Sequence, residues 1–194
     1  MKTIQILAVI LLTATLSFAQ TKWTFDKSHS NIGFSVTHLI ITEVDGSFKN
    51  FDGTIESAGD EFSGAKVEFS AETSSIYTGN EKRDNHLKSD DFFNAEKFSN
   101  MTFKSKTFTK TGDNKYKMVG DLTIRDITKE VTLDVKYNGT VKDPWGNTKA
   151  GFKITGEINR FDYDLKWNAL MEAGGAVVGK DVSLDINVQL QKQL

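Results

Sequence analysis

The segment 80–93, NEKRDNHLKSDDFF, concentrates the side chains of this sequence that could perform chemistry. The side chains that could form an active site fall within nine residues, and they are Arg83, Asp84, His86, Asp90 and Asp91. An imidazole beside carboxylates is a common acid–base arrangement, because its pKa lies close to neutral pH. Since no partner elsewhere in the chain completes an active site, we interpret the segment as an insertion whose charges pair with one another or with backbone ends.

A second candidate for catalysis is the pair Asp162 and Asp164. Two residues apart at a strand end, these carboxyl groups would share a face about 7 Å apart, which suits an inverting glycoside hydrolase. Arg160 or Lys166 could equally neutralise them as a solvated surface cluster. We expect a protein that is not an enzyme, and a hydrolase that uses Asp162 and Asp164 is kept as an alternative.

The remaining chemistry-bearing residues do not indicate a metal or cofactor site. His29 and His38 are nine residues apart on one extended segment, which separates them by about 30 Å and places them on opposite faces. The chain has no cysteine and no G-x-S-x-G nucleophile motif. The glycines of residues 174–179 lack the Lys-Ser/Thr of a phosphate loop. We therefore expect neither a metal ion nor a cofactor.

The first nineteen residues predict a signal peptide rather than part of the fold. Lys2 precedes an apolar run from Ile4 to Leu16, and residues 17–19 supply a small-x-small cleavage signal. We therefore predict one domain over residues 20–194 and a location in the periplasm or outside the cell. No later stretch is apolar for long enough to span a membrane as a helix, and a formal net charge of −2 argues against a nucleic-acid partner.

Period-two alternation of apolar and polar residues dominates the rest of the sequence. The clearest apolar series is Val182, Leu184, Ile186, Val188 and Leu190. Because successive side chains of a strand point to opposite faces, each such segment predicts a strand with one apolar and one wet face. The predicted strands are 31–42, 46–57, 64–74, 101–109, 115–125, 130–140, 149–162 and 181–192, with a shorter one at 22–26.

These strands favour an all-β protein, an antiparallel barrel of about eight strands, since a parallel sheet would show continuous apolar runs. Residues 79–99 interrupt the alternation and predict one short helical insertion, in which Asn80 to Leu87 are helical and Ser89 begins a further helix. A barrel of this size is either filled by side chains or able to hold one ligand. Alternation alone does not distinguish an apolar interior from an apolar exterior that faces lipid.

Several segments together resemble the YceI-like polyisoprenoid-binding family. FDKSHSNIGFSVTHL (25–39) is similar to the family's opening strand, GSFKNFDGTI (46–55) to its G-x-F-x-x-F-x-G segment, and RDNHLKSDDFFNAEKF (83–98) to its R-D-x-H-L-x-S-x-D-F-F signature. FKSKTF, GDLTIRDITKEVTL, NRFDYDLKW and VGKDVSLDI follow in the family's order. The chain departs from the pattern at Ser99, where a proline is usual, and at Asp126 and Asp164, where glycines are usual.

The resemblance implies a lipocalin-like barrel that holds a long isoprenoid or similar amphiphilic lipid in an internal apolar tunnel, as a periplasmic or secreted carrier or storage protein. We predict that the lining includes Ile32, Phe34, Val36, His38, Phe48, Phe69, Leu87, Phe92, Phe93, Phe103, Leu122 and Phe152. The rival interpretations are the hydrolase and a structural barrel with a packed core. The sequence leaves a homodimer open.

Overall fold

The computed structural model describes residues 20–59, 61–169 and 176–193, so the predicted signal peptide lies outside the described residues. The described chain contains one α-helix, α1 (Glu81–Lys88), and three short 3₁₀ helices, Lys27–His29, Thr73–Ser75 and Arg160–Tyr163. Its eleven strands are β1 (Gln20–Phe25), β2 (Asn31–His38), β3 (Thr42–Phe48), β4 (Phe51–Ala58), β5 (Glu61–Glu72), β6 (Ile76–Tyr77), β7 (Asn100–Gly112), β8 (Lys115–Ile124), β9 (Ile127–Lys142), β10 (Thr148–Asn159) and β11 (Val178–Lys192).

Strand β8 shows how the alternation builds the barrel wall. Tyr116, Met118 and Leu122 are buried, whereas Lys115 and Lys117 between and beside them are exposed. Burial of one face removes apolar surface from water at about 25 cal/mol per Å², which fixes the side of the strand that turns inward. The apolar faces of the wall strands therefore point into the barrel.

Eight strands close into an antiparallel barrel, as predicted. Their order around the wall is β1-β4-β5-β7-β8-β9-β10-β11, and β11 pairs with β1 to complete the ring. The long strand β11 pairs with β10 along one edge and has two partners along the other, since its residues 190–192 pair with β1 and its residues 178–187 pair with β2. Strands β2, β3 and β6 therefore extend the sheet at one end of the barrel. The prediction of an antiparallel barrel with one short helix is confirmed.

Two predicted strands differ most from the observed ones. The predicted strand 31–42 ends at His38, because Leu39 and Ile40 take positive φ values of 52° and 67° and turn the chain into β3. The predicted strand 46–57 is interrupted between β3 and β4. At that break the backbone N–H of Lys49 donates to the carbonyl oxygen of Ser75 at 3.2 Å, which takes it out of the ladder.

One end of the barrel is filled by an aromatic cluster, defined as Trp23, Phe62, Tyr137 and Phe152. The ring centroid of Phe62 lies 5.3 Å from that of Trp23, 5.5 Å from that of Tyr137 and 4.8 Å from that of Phe152. The indole Nε1 of Trp23 donates to the hydroxyl of Ser57 at 3.0 Å, so the polar atom of this fully buried side chain is satisfied. Because the cluster fills this end of the barrel, any open space in the interior lies toward the opposite end.

Polar contacts hold the start of helix α1. The side-chain oxygen of Asn80 caps it by accepting from the backbone N–H of Arg83 at 3.0 Å. Buried Asp84 accepts from the N–H of Thr78 at 2.8 Å and from its hydroxyl at 2.5 Å. Arg83 donates to the same hydroxyl at 2.7 Å. No helix among the described residues is both long and apolar enough to cross a membrane.

Ser89 ends α1, so the expectation that it begins a further helix was wrong. Its hydroxyl donates to the carbonyl oxygen of His86 at 2.7 Å, and its backbone N–H donates to the same oxygen at 3.1 Å. Turns follow instead of a second helix. These turns place Phe92 in the core and pack Phe93 against it.

Candidate functional site

The barrel encloses a cavity of about 180 Å³, called the inner cavity. Every strand except β4 contributes at least one lining residue, and Leu87, Phe92 and Phe93 contribute from α1 and the turns after it. Apart from Gly33 and Arg160, each described lining residue has a hydrophobic side chain. The alternation that builds the wall therefore also makes this space suitable for hydrocarbon.

A second cavity of about 440 Å³, called the outer cavity, adjoins the inner cavity at the end away from the aromatic cluster. The two cavities share the residues Phe34, Val36, Leu87, Phe92 and Val178. The polar residues that line the outer cavity, among those that the structure describes, are His38, Thr78, Asn80, Lys82, Arg83 and His86. The adjoining spaces therefore lead from an apolar interior to a polar mouth.

His86 occupies the wall of the outer cavity as part of a packed group. Its Nε2 lies 2.8 Å from a carboxylate oxygen of Asp91. Its ring stands edge-on to Phe92 and to Trp167, with centroids 5.1 Å and 5.0 Å away. The imidazole therefore holds α1 against the segment that carries Trp167. This contact joins two sides of the mouth.

The three histidines of the described chain are dispersed. His29 pairs with Asp26 at 3.1 Å on the 3₁₀ helix after β1, whereas His38 lines the outer cavity and His86 pairs with Asp91. Within the described residues, no group of three His, Asp or Glu side chains is placed to hold a metal ion.

Among the described residues that line the inner cavity, Arg160 is the charged one, and it is 4 % exposed. Its guanidinium donates to the backbone carbonyl oxygens of Gly179 at 2.8 Å, Trp167 at 2.9 Å and Leu165. The ring of Phe161 lies 4.5 Å from the guanidinium carbon. Burial lowers the pKa of Arg160. Because its donors are already engaged with carbonyl oxygens, Arg160 fastens the chain segments around it.

Ten of the twelve predicted lining residues surround the inner cavity, and they are Ile32, Phe34, Val36, Phe48, Phe69, Leu87, Phe92, Phe93, Phe103 and Leu122. His38 lines the outer cavity instead. Among the described residues, Phe152 lines neither cavity and belongs to the aromatic cluster, where its ring packs 4.8 Å from Phe62. The alternation places Phe152 on the apolar face of its strand but does not give its depth along the barrel.

Other lining residues were missed by the sequence reasoning. Strand β11 contributes Val182, Leu184, Ile186 and Val188, whose alternation is the clearest in the sequence and could have identified them. Trp167 of the outer cavity follows a 3₁₀ helix in an irregular segment, and no periodic signal marks it.

The predicted carboxylate pair does not share a strand face. Asp162 lies in the 3₁₀ helix Arg160–Tyr163, and Asp164 follows it with φ 60°, a conformation that glycine adopts more readily. With about three residues per turn, side chains two apart on such a helix project in different directions. Lys166 at 2.6 Å lowers the pKa of the Asp164 carboxyl, and Arg125 adds to this effect. The expectation of a paired strand end was wrong, and a lowered pKa disfavours Asp164 as a general acid.

The family model of the YceI-like domain matches residues 23–190, from β1 to β11. The chain belongs to the YceI-like family. A UPF0312 protein of Staphylococcus aureus strain N315 is 43% identical over 170 residues, which cover 87% of this chain and 96% of that protein. The similarity therefore includes the barrel wall, α1 and the residues of both cavities.

Solved structures share the YceI-like architecture. The crystal structure of a Campylobacter jejuni YceI protein is 35% identical, with a TM-score of 0.70 over 88% of this chain and 98% of that chain. A polyisoprenoid-binding domain from Saccharophagus degradans, implicated in plant cell wall breakdown, has a TM-score of 0.61 over 88% of this chain and 98% of that domain. At 15% identity the second likeness shows a common fold alone.

Proposed function

We propose that this protein binds a long isoprenoid chain or a similar amphiphilic lipid inside its barrel, as a carrier or storage protein of the periplasm or the extracellular space. The observation that carries the proposal is the inner cavity, whose described lining is hydrophobic apart from Gly33 and Arg160. The polyisoprenoid binding of the Saccharophagus degradans domain supports the ligand class. The signal-peptide pattern of residues 1–19 supports the location.

Hydrocarbon that extends through the inner cavity into the outer cavity gains enough free energy to bind without a charged contact. Each methylene removed from water contributes ~0.8 kcal/mol, so about ten methylenes supply ~8 kcal/mol, which corresponds to a dissociation constant of roughly micromolar. A polar ligand would instead lose hydrogen bonds to water that a hydrophobic lining does not replace. The inner cavity therefore favours the apolar part of a ligand.

The two cavities separate the apolar and polar parts of an amphiphile. An apolar cavity of roughly 150 Å³ in another protein binds benzene, so a cavity of similar size holds a short hydrocarbon segment. A longer chain extends past Leu87 and Phe92, which line both cavities, into the outer cavity. The polar residues at the mouth then solvate the wet end of the ligand.

Native extraction tests the proposal most directly. Protein purified without delipidation is extracted with organic solvent, and the extract is analysed by mass spectrometry against an extract of the same protein after delipidation. We expect an apolar species in a stoichiometric amount from the first sample alone. Its absence, together with no uptake of a fluorescent isoprenoid by the delipidated protein, would contradict lipid binding and favour a barrel packed for stability.

A substitution pair locates the binding site. Phe93 lines the inner cavity and packs edge-on to Phe48 with centroids 5.6 Å apart, so Phe93→Asp places a carboxylate where the ligand tail is expected. Affinity for a fluorescent isoprenoid should fall by about tenfold or more, since an apolar tail does not solvate a charge. Tyr77→Asp is the matched control, because Tyr77 is an exposed aromatic residue outside both cavities. Equal affinity of the two folded variants would contradict the placement of Phe93 in the binding site.

A further inference from the structure

The tip of the β2–β3 hairpin presents three consecutive large apolar side chains to solvent. Leu39 is 37% exposed, Ile40 is 65% exposed and Ile41 is 81% exposed. His38 and Thr42 are the last paired residues on either side of them. Scattered apolar residues are common on protein surfaces, but three in succession at a hairpin tip form a continuous apolar projection.

The backbone conformation of this tip is also unfavourable for the residues found there. Leu39 has a φ of 52° and Ile40 a φ of 67°. This left-handed region suits glycine and asparagine, whereas a β-branched residue such as isoleucine is strained there. Asparagine would lower the strain and the exposed apolar surface together. No contact that the structure describes within the folded monomer therefore favours isoleucine at position 40. Contact with an apolar partner outside the monomer would favour it.

The position of the tip connects it with the cavities. Val36 and His38 of β2 and Val44 of β3 line the outer cavity, so the hairpin that ends in the tip is one wall of the mouth. A ligand that leaves the inner cavity through the outer cavity emerges beside these apolar side chains. The tip is therefore placed to contact whatever phase the ligand enters.

Charged groups near the tip are mixed in sign. Glu43 and Asp45 are exposed on β3, while Lys82 and Arg83 line the outer cavity from α1. Lys180 on β11 pairs with the carboxylate of the next residue at 2.8 Å. Such a balanced surface does not dock on anionic lipid through electrostatic attraction, which requires a cluster of basic residues. Contact through the apolar tip alone points to an uncharged lipid surface.

The shape of the tip favours a lipid surface over a second copy of the chain. A stable protein interface buries about 800 Å² on each partner, from roughly twenty residues a side. Three side chains at the end of a narrow hairpin do not supply such an area. Lipid accommodates a narrow convex projection, because apolar side chains enter the region between headgroups and acyl chains.

We propose that Leu39, Ile40 and Ile41 insert into an uncharged lipid bilayer and hold the mouth of the barrel against it, so that the ligand passes between bilayer and cavity without crossing water. This inference rests on the proposed lipid-binding function. It adds the surface from which the ligand is taken and the residues that touch that surface.

Vesicle binding tests the tip directly. The chain that begins at Gln20 is sedimented with phosphatidylcholine vesicles, and the bound fraction is compared with that of the variant Ile40→Asn/Ile41→Asn. We expect the partition coefficient to fall by about tenfold or more, because two apolar side chains no longer leave water. Raising the salt concentration should leave the binding of the unsubstituted protein unchanged. Equal binding by the variant, or loss of binding in salt, would overturn the proposal.

The chain offers a matched control at the other end of the barrel. Trp145, 84% exposed, lies at the tip of the β9–β10 hairpin, which is next to residue 191 of β11, whereas His38 pairs with residue 178. Thirteen residues of strand separate the two tips by about 40 Å. Trp145→Asn should leave vesicle binding unchanged, and a loss equal to that of the tip variant would overturn the inference. Urea unfolding should show that Ile40→Asn is at least as stable as the unsubstituted protein, since it relieves strain.

Ligand transfer separates this inference from the proposed function. A fluorescent isoprenoid is added once from ethanol, in the absence of vesicles, and once within phosphatidylcholine vesicles. The tip variant should fill normally from ethanol and several-fold more slowly from vesicles. Failure of the unsubstituted protein to fill from ethanol would refute lipid binding, whereas equal transfer rates from vesicles would refute the role of the tip alone. A change from dimer to monomer in the tip variant, with vesicle binding unchanged, would assign the tip to a second copy and overturn the inference.

Discussion

A single methyl group added at Gly46 is expected to reduce the space in the cavities, because Gly46 contacts the ring of Phe34. Gly46 lies opposite Phe34 in the β2–β3 pair, and the ring of Phe34 covers the face of the glycine. A Cβ atom at position 46 would lie 2.3 Å from Cζ of Phe34 and 2.8 Å and 2.9 Å from its two Cε atoms. Because all three atoms belong to one side chain, the Gly46→Ala variant is expected to displace the ring and leave the backbone in place.

The direction of this displacement gives the expected effect on binding. Ordinary contact begins near 3.4 Å, so the Phe34 ring must move by about 1 Å. The ring of Phe48 stands on one side with its centroid 5.8 Å away, and the cavities that Phe34 lines provide the free space. Loss of room for two or three methylenes would weaken binding by about 2 kcal/mol, or about thirtyfold. Stability should fall by about 1 kcal/mol, at the low end for an overpacked core.

A titration with a fluorescent isoprenoid measures the change in affinity, and urea unfolding confirms that the variant is folded. Gly151→Ala is the matched control, since its Cβ would lie 3.6 Å from Asn138 and away from both cavities. Phe34→Leu in the Gly46→Ala background removes the displaced ring and should restore most of the affinity. Unchanged affinity of folded Gly46→Ala, or no recovery in the double variant, would show that the Phe34 ring is not displaced into the cavities.

Three further perturbations test the barrel and its insertion. Burial opposes the charged form of Asp26, but hydrogen bonds, with that from Lys149 foremost, lower the pKa of Asp26 to about 2. Asp26→Asn should therefore cost about 2 kcal/mol in urea unfolding at pH 7, and its difference from the unsubstituted protein should disappear as the pH falls from about 4 to 2. Thr78→Val removes the hydroxyl that Asp84 accepts from at 2.5 Å; it should cost about 1–3 kcal/mol and speed amide hydrogen exchange in α1. Phe62→Ala, in the aromatic cluster, should cost about 3–5 kcal/mol in thermal unfolding and leave ligand uptake by the folded protein unchanged. Unaltered stability of any of these variants would contradict the contact on which it rests.

The charged segment 80–93 makes contacts with its neighbours and also with residues that are distant in the sequence. Its charges pair as expected with neighbours and with backbone groups, since Arg83 and Asp84 meet at Thr78 and His86 pairs with Asp91. The sequence also indicates that its phenylalanines turn inward. It does not indicate that the imidazole of His86 contacts Trp167, because that residue is far along the chain and reaches His86 only through the fold.

The all-β class, the antiparallel strands and the residues that share the apolar face of each strand were predictable from the sequence alone. These features follow from alternation, which is local, because adjacent side chains of any strand point to opposite sides. The ten residues found around the inner cavity were predicted from this property together with the family resemblance.

The depth of each inward residue along the barrel follows from tertiary contacts and not from the local sequence. Phe103 and Phe152 both point inward, yet Phe103 lines the inner cavity and Phe152 belongs to the aromatic cluster. Depth depends on the register of neighbouring strands, such as the pairing of Phe152 with Val188, and register is fixed by contacts between residues far apart in sequence. The contacts of the irregular segments also depend on residues that are far apart in sequence. Arg160 acquires its role because the carbonyl oxygens it binds come together only when the barrel has closed.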